Sequence, residues 1–444
     1  MPETVLPEAV GRFEAEQEIP ERMRAHVRLL GELLGRVLRE SGSPGLYDDV
    51  ERLRVATIQA YTDETGRAFS AAMAIADDLT VARSDEVARA FTAYFHLVNL
   101  AEEHQRIRVL RERDGRASRD PADSVGSAFA HLAGEVGAET ALERLQSLRF
   151  HPVFTAHPTE ARRRAVSSAI RRLADLLDDH DGASGATQVG RVERSMLEEI
   201  DTLWRTAPLR AEKPSPVDEV RSIMAVFDET LYTAIPAVYR RIDDLLLGEK
   251  SGVAAPLVRP FVRLGTWVGG DRDGNPFVTA SVTKQAAAIA SEHVLLGLER
   301  TAARVGRTLT LDATTTPPSA ALLSLWQRLR SADEEAAAEV AKRSPDEPHR
   351  RVLLLLARRI AATRTRDADL AYRTPDDLLA DLTVLQESLV RSGAPRQAYG
   401  HLQQLIWQAE TFGFHLAELE VRQHSAVHAK VLAEIEAGGP LGEQ

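Results

Sequence analysis

Three short apolar runs, each followed by a polar turn and then by a helix-favouring stretch, constrain this chain more than any other feature. The first is Val153-Phe154-Thr155, which delivers His157 into a turn fixed by Pro158. Thr159 and Glu160 then open a helix whose first turns carry Arg162, Arg163 and Arg164. The second run, Pro256 to Val268, holds Val258, Phe261, Val262, Leu264, Trp267 and Val268, and reads as a buried strand rather than a helix. It ends in Gly269-Gly270-Asp271-Arg272-Asp273-Gly274-Asn275-Pro276, after which Thr279 to Ser281 supply N-caps for a long helix. In the third, Leu419 and Val421 alternate with Glu418, Glu420 and Arg422, which suits a strand ending near Arg422 and His424, before a helix from Ser425 to Ala437.

Between these runs the pattern is helical. Apolar residues recur at three to four positions over Arg22–Glu40 and Asp48–Tyr61, and from an N-cap at Ser84 to about Arg113. The same spacing predicts helices over Ala165–Asp179, Arg191–Thr206 and Val217–Leu247, the last interrupted near Pro236. Further helices are expected over His349–Thr363, Pro375–Ser392 and Arg396–Thr411, with His180–Gly190 as a Gly-rich loop. The fold class is therefore mainly α, with the three strands belonging to a parallel β/α arrangement. In β/α barrels the active site lies at the carboxyl ends of the strands, where this chain places its polar residues. Residues 1–148 read as an N-terminal helical region and 149–444 as the strand-bearing domain with long helical insertions.

Composition removes several function classes. Lys plus Arg total 55 against 66 for Asp plus Glu, a formal net charge of -11, which disfavours a general nucleic-acid binder. The absence of cysteine excludes disulfides, thiolate zinc sites and cysteine nucleophiles within this sequence. The acidic, proline-broken stretch from Met1 to Arg22 is not expected to be a signal peptide, and the aliphatic runs fall short of the ~20 residues of a membrane span. A cytoplasmic protein with no membrane association is the expectation.

His157 precedes a proline, which keeps its backbone extended, and a histidine at a strand end can move a proton near neutral pH. It could equally be a hydrogen-bonded structural residue. Arg162, Arg163 and Arg164 begin a helix, where backbone N–H groups also favour anions; a solvated basic face is the alternative. The glycines of the second stretch allow close backbone approach to a ligand, and Asp271, Arg272 and Asp273 offer charge of both signs. An EF-hand is rejected, because Pro276 stands at the glycine position and Val282 at the glutamate position. His424 and His428 lack the glutamate that a zincin helix places after its first histidine. Arg422 suits bidentate contact with phosphate or carboxylate, with a salt bridge to Glu418 or Glu420 as the alternative.

Taken in order, Val153-Phe154-Thr155-Ala156-His157-Pro158-Thr159-Glu160, Gly265-Thr266-Trp267-Val268-Gly269-Gly270-Asp271-Arg272-Asp273-Gly274-Asn275-Pro276 and Val421-Arg422-Gln423-His424-Ser425 resemble successive signatures of phosphoenolpyruvate carboxylase. Lesser matches, such as Leu97 to Glu102, Leu203 to Thr206 and Pro214 to Glu219, extend the resemblance over nearly the whole chain. It implies helices around an eight-stranded TIM-like barrel, of which about three strands are present here. It also implies carboxylation of phosphoenolpyruvate by bicarbonate with Mg²⁺ or Mn²⁺, giving oxaloacetate and phosphate. By that resemblance His157 is the catalytic histidine and Arg422 contacts phosphate. Trp267, Gly270, Asp271, Arg272 and Asp273 form the bicarbonate-side wall, and Arg163 and Arg164 match positions for anionic activators.

The departure is in length. Members of the family are roughly twice as long, and the metal-binding carboxylates, further arginines and a mobile glycine-rich loop follow the third signature. The metal ligands are thus expected from a C-terminal half, supplied in cis or in trans, and not from this chain. Three further expectations follow: a chain inactive without that half, a homotetramer when complete, and, as the alternative, a non-catalytic regulatory protein binding an anionic metabolite at Arg163 and Arg164.

Overall fold

The computed structural model describes residues 19–62, 66–116, 124–155, 163–207, 214–273 and 275–437. His157, the turn that follows it, Arg162 and Gly274 lie outside the described residues. In chain order the elements are α1 (Glu21–Ser41), α2 (Leu46–Thr62), α3 (Arg67–Asp77), α4 (Val81–Arg116), α5 (Val125–Val136), α6 (Ala138–Ser147), β1 (Val153–Phe154), α7 (Arg164–Gly182) and α8 (Ala186–Arg205). They continue with α9 (Pro216–Val226), α10 (Tyr232–Leu247), β2 (Gly265–Thr266), α11 (Ala280–Thr308), α12 (Ala320–Ala332), α13 (Glu334–Arg343) and α14 (Pro348–Thr365). The last are α15 (Pro375–Arg391), α16 (Pro395–Tyr399), α17 (His401–Phe412), β3 (Glu418–Leu419) and α18 (Ser425–Glu436). The protein is mostly helical and carries a three-stranded parallel sheet. No described helix is long and apolar enough to cross a membrane.

The chain divides into two compact units, one of Met1–Arg119 with Ala161–Ala211, the other of Asp120–Glu160 with Glu212–Gln444. Compactness thus draws its lines elsewhere than the expected division at 149, which marks the onset of the strand-bearing sequence.

The first unit is a bundle in which α1 packs on α4 and α8, and α7 on α8. The apolar stripe of α1 (Leu30, Leu33, Leu34, Val37 and Leu38) is its buried face, as the spacing predicts. It meets Leu97 and Ala101 of α4, Leu173 and Leu177 of α7, and Met196 and Ile200 of α8. Helix α4 starts earlier than its expected cap at Ser84. Thr80 accepts from the N–H of Arg83 at 3.3 Å through its hydroxyl and from that of Ser84 at 2.8 Å through its carbonyl, which leaves Ser84 inside the first turn. The expected loop over His180–Gly190 shrinks to residues 183–185, because Gly185 at φ 87° turns the chain straight into α8.

In the second unit α11 lies along α14, and the core gathers Phe227, Tyr239, Trp407 and Phe412. The expected break near Pro236 falls earlier, as a π-turn over Phe227–Leu231, and Pro236 stays inside α10. Proline has no N–H for the carbonyl four residues back and its ring crowds that carbonyl. Gln408 of α17 donates to this orphaned Tyr232 carbonyl at 3.1 Å, so a tertiary contact replaces the missing helical bond.

The apolar run Pro256 to Val268 is a strand only at Gly265–Thr266, with an isolated parallel bridge between Phe150 and Val262. Two side chains of α10 account for the difference. Asp243 accepts from the N–H groups of Leu257 and Val258 at 2.9 and 3.1 Å, and the Tyr239 hydroxyl accepts from that of Val262 at 3.2 Å. Those donors are satisfied by a helix face instead of a neighbouring strand. Burial pushes both the Asp243 carboxyl and the Tyr239 hydroxyl above their ordinary pKa values.

The strands pair in the order β1-β2-β3, with Val153, Gly265 and Glu418 in one row and Phe154, Thr266 and Leu419 in the next. All three run parallel, so the residues that follow them emerge at one end of the sheet.

Candidate active site

Pairing continues beyond the strands. The N–H of Trp267 bonds to the Phe154 carbonyl at 2.9 Å and that of Glu420 to the Thr266 carbonyl at 3.0 Å. Farther along, Arg422 donates to Gly270 at 3.0 Å and Arg272 to Arg422 at 2.8 Å, which makes a bridge of Asp271 and Arg422. The second and third sequence stretches are therefore locked together by backbone before any side chain is considered.

Trp267 is the hub of this end. Its indole Nε1 donates to Glu420 Oε2 at 2.8 Å, while the guanidinium carbon of Arg422 lies 3.7 Å from its ring centroid. The carboxylate nearest Arg422 is Asp271, at 3.8 Å and partly exposed, a pairing worth little by itself. Stacking on an aromatic face contributes about 0.5–2 kcal/mol and fixes the plane of the guanidinium. Neither acidic residue expected as its salt-bridge partner takes that part. Glu418 pairs with Arg263 at 3.3 Å and lies 3.6 Å from His151, and Glu420 is committed to Trp267. Among the described residues, Arg422 is thus oriented by stacking rather than neutralised by a close carboxylate.

The two glycines permit close approach within the protein itself. Gly269 has φ 87°, and a Cβ there would lie 2.6 Å from Ala286 Cβ and 2.9 Å from Val220 Cγ2. At Gly270 a Cβ would lie 2.2 Å from the Glu420 carbonyl oxygen. The first glycine lets the loop close on α9 and α11, and the second lets it close on β3. Thr283 of α11 donates its hydroxyl to the Gly269 carbonyl at 2.9 Å and accepts from Arg272 at 3.3 Å. The Arg272 Nε is buried and has no partner among the described residues. Asp271 accepts from the N–H of exposed Asp273 at 3.2 Å, an Asx-type turn.

The remaining candidates have other local settings. His424 Nδ1 accepts from the N–H of Ala426 at 3.2 Å and so caps α18. Arg163 is exposed at the N-cap position of α7, with no side-chain cap bond; the Arg164 side chain lies outside the described set, as does His157. Glu420, which holds the hub, was read only as an ion-pair partner for Arg422, and Thr283, which holds the loop, was not singled out by sequence reasoning. For Glu420 the alternation around Leu419 held a usable signal, since it puts Glu420 on the face opposite its apolar neighbour. For Thr283 there was none.

The structure defines a class first: a mostly helical protein that collects aromatic and charged residues at the carboxyl end of a parallel sheet. The sequence model of the phosphoenolpyruvate carboxylase family matches residues 23–441, and the chain belongs to that family. It is similar to phosphoenolpyruvate carboxylases of Roseiflexus castenholzii (38% identical over 434 residues, covering 94% of this chain and 46% of the relative) and Nocardia farcinica (34% over 438 residues, 96% and 46%). One from Rhodopseudomonas palustris is 32% identical over 434 residues, with coverage of 93% and 45%. The chain spans about half the length of the curated relatives it matches.

Proposed function

We propose that this chain supplies the amino-terminal half of a phosphoenolpyruvate carboxylase site, converting phosphoenolpyruvate and bicarbonate to oxaloacetate and phosphate. The observation that carries the reading is Arg422, stacked on Trp267 beside the Gly270–Asp273 loop, at the end of the sheet where β/α proteins bind substrates. In this reading Arg422 holds the phosphate of phosphoenolpyruvate. Its fixed plane suits bidentate phosphate contact, and preorganised positive charge favours a transferring phosphoryl group. Trp267 with Gly270, Asp271, Arg272 and Asp273 walls the bicarbonate side. Transfer of the phosphoryl group to bicarbonate gives carboxyphosphate and the pyruvate enolate. His157 then takes the carboxyl proton as carboxyphosphate divides into CO₂ and phosphate, and the enolate attacks the CO₂.

The family resemblance implies Mg²⁺ or Mn²⁺. The described residues do not fit a metal at this end of the sheet, since Glu420 is bonded to the Trp267 indole and Asp271 accepts from the N–H of Asp273. Its ligands belong to the remainder of the family's sequence in this reading. So do the strands that complete a TIM-like barrel: β1 and β3 each leave one edge without a strand partner among the described residues, and such edges need pairing or cover. A homotetramer is the expected assembly of the complete enzyme.

The test is complementation. Purified chain is expected to give no bicarbonate-dependent oxaloacetate alone and measurable oxaloacetate when mixed with a C-terminal half from a relative. Activity of the mixture should disappear in His157→Asn, and kcat/KM should fall about 100-fold in Arg422→Gln. Full activity of Arg422→Gln would overturn the phosphate assignment. The regulatory alternative rests on exposed Arg163 at the start of α7, and it predicts anion binding by the chain alone with no activity on mixing.

A further inference from the structure

In the first unit three helices meet at a pair of buried histidines that the carboxylation reading does not use. His26 of α1 and His104 of α4 are 5% and 8% exposed, with ring centroids 5.0 Å apart in an edge-to-face arrangement. Each ring sets its Nε2 against a carboxylate of α7: His26 against Asp181 at 2.8 Å and His104 against Asp178 at 2.9 Å. The two aspartates are three residues apart and so share one face of the helix. Arg111 reaches Asp178 at 3.4 Å.

The other ring nitrogen of each histidine is the informative one. Nδ1 of His26 and Nδ1 of His104 are both buried without a hydrogen-bond partner among the described residues. A buried polar atom left unpaired costs about 1–3 kcal/mol, and here two occur at one place. His104 is held as metal-binding imidazoles commonly are, with Nε2 against the Asp178 carboxylate and the other nitrogen available; on His26 the carboxylate that faces Nε2 is itself the third ligand, so an ion bound by both replaces that hydrogen bond. One ligand atom each from His26, His104 and Asp181 already lies within 4.8 Å of the other two. Coordination at 2.0–2.2 Å on a tetrahedral ion needs ligand atoms about 3.3 Å apart, a closure within reach of side-chain rotation.

We propose that His26, His104 and Asp181 form a site for a divalent cation of the zinc class, which ties α1, α4 and α7 together. Two imidazoles with one carboxylate suit Zn²⁺ or Co²⁺ and not Mg²⁺, so the site is distinct from the metal implied for carboxylation. Three protein ligands leave a fourth position for water, on the side where the Asp181 side chain is 28% exposed. Asp178 remains the orienting partner of His104. The three ligands come from distant parts of the sequence, so the ion restrains long loops and stabilises the bundle.

The test is a Co²⁺ titration of the EDTA-treated chain, followed by visible absorption. A visible band saturating at one equivalent is expected, with Zn²⁺ displacing Co²⁺ and raising the thermal midpoint, and Mg²⁺ doing neither. Asp181→Asn and His104→Gln should each abolish the stoichiometric band, and Asp178→Asn should weaken binding about tenfold. His131→Gln, at an exposed histidine of the second unit, should bind as the parent does. Absence of a saturable band, or a band unchanged in both ligand variants, would overturn the proposal. If His104→Gln does not fold, Asp181→Asn decides alone, because its side chain reaches solvent.

Discussion

The two units use buried polar side chains for different tasks. In the first, His26 and His104 bond to other side chains, across helices whose own backbone is regular. In the second, Asp243, Tyr239 and Gln408 bond to backbone atoms that neither helix nor strand satisfies. Side-chain pairs occur in the second unit as well: His349 Nε2 lies 2.9 Å from the Ser388 hydroxyl, which accepts from the N–H of Ser319, and Asp381 accepts from the Tyr372 hydroxyl at 3.1 Å. A bundle of amphipathic helices closes on its apolar faces alone. A short parallel sheet fed by irregular segments needs side chains that stand in for missing ladder partners.

The largest expected effect of breaking that contrast is at Asp243. Asp243→Ala strands the buried N–H of Val258 and the partly buried N–H of Leu257 and should destabilise the second unit by about 3 kcal/mol in a denaturant titration. Asp243→Asn keeps an acceptor in place and should cost far less. Hydrogen exchange should show the loss around Leu257 to Val262 while the first unit stays protected.

Next is the response to pH. Burial pushes the His349 imidazole down to about 4 from the ordinary 6.5, so the unfolded chain takes up the proton first as pH falls. The contribution is therefore complete above about pH 6.5 and is lost progressively down to pH 4, in total about 3 kcal/mol. His349→Gln should flatten that slope in unfolding curves recorded across this range, and an unchanged slope would remove His349 from the account. Smaller again, Gln408→Leu leaves the Tyr232 carbonyl without its donor and should cost about 1–2 kcal/mol by chemical denaturation. Smallest is Thr279→Ala, the loss of the cap on α11, at about 1 kcal/mol.

Legibility followed the same divide. The stripe of α1, the cap at Thr279 and the final helix from Ser425 could be read because helical spacing and capping are local. The places of the three strand ends were legible too, although each strand is only two residues long. The extent of the second strand was overestimated, because an apolar run does not reveal that Asp243 and Tyr239 will take its N–H groups. The partners of Glu418 and Glu420 were not legible for a related reason: both are near Arg422 in sequence, but they bond to Arg263 and Trp267, which flank β2.

The sequence by itself determined the helical periodicity, the three strand-to-turn stretches and the family to which they belong, because each is carried by residues close along the chain. Only the tertiary structure decided that Trp267 would present its edge to Glu420 and its face to Arg422, and that the two glycines would serve backbone contact with α9, α11 and β3. It alone brought two histidines from α1 and α4 against one face of α7. Spacing along a chain encodes which face of an element is apolar; it does not encode which distant atom will satisfy a buried donor.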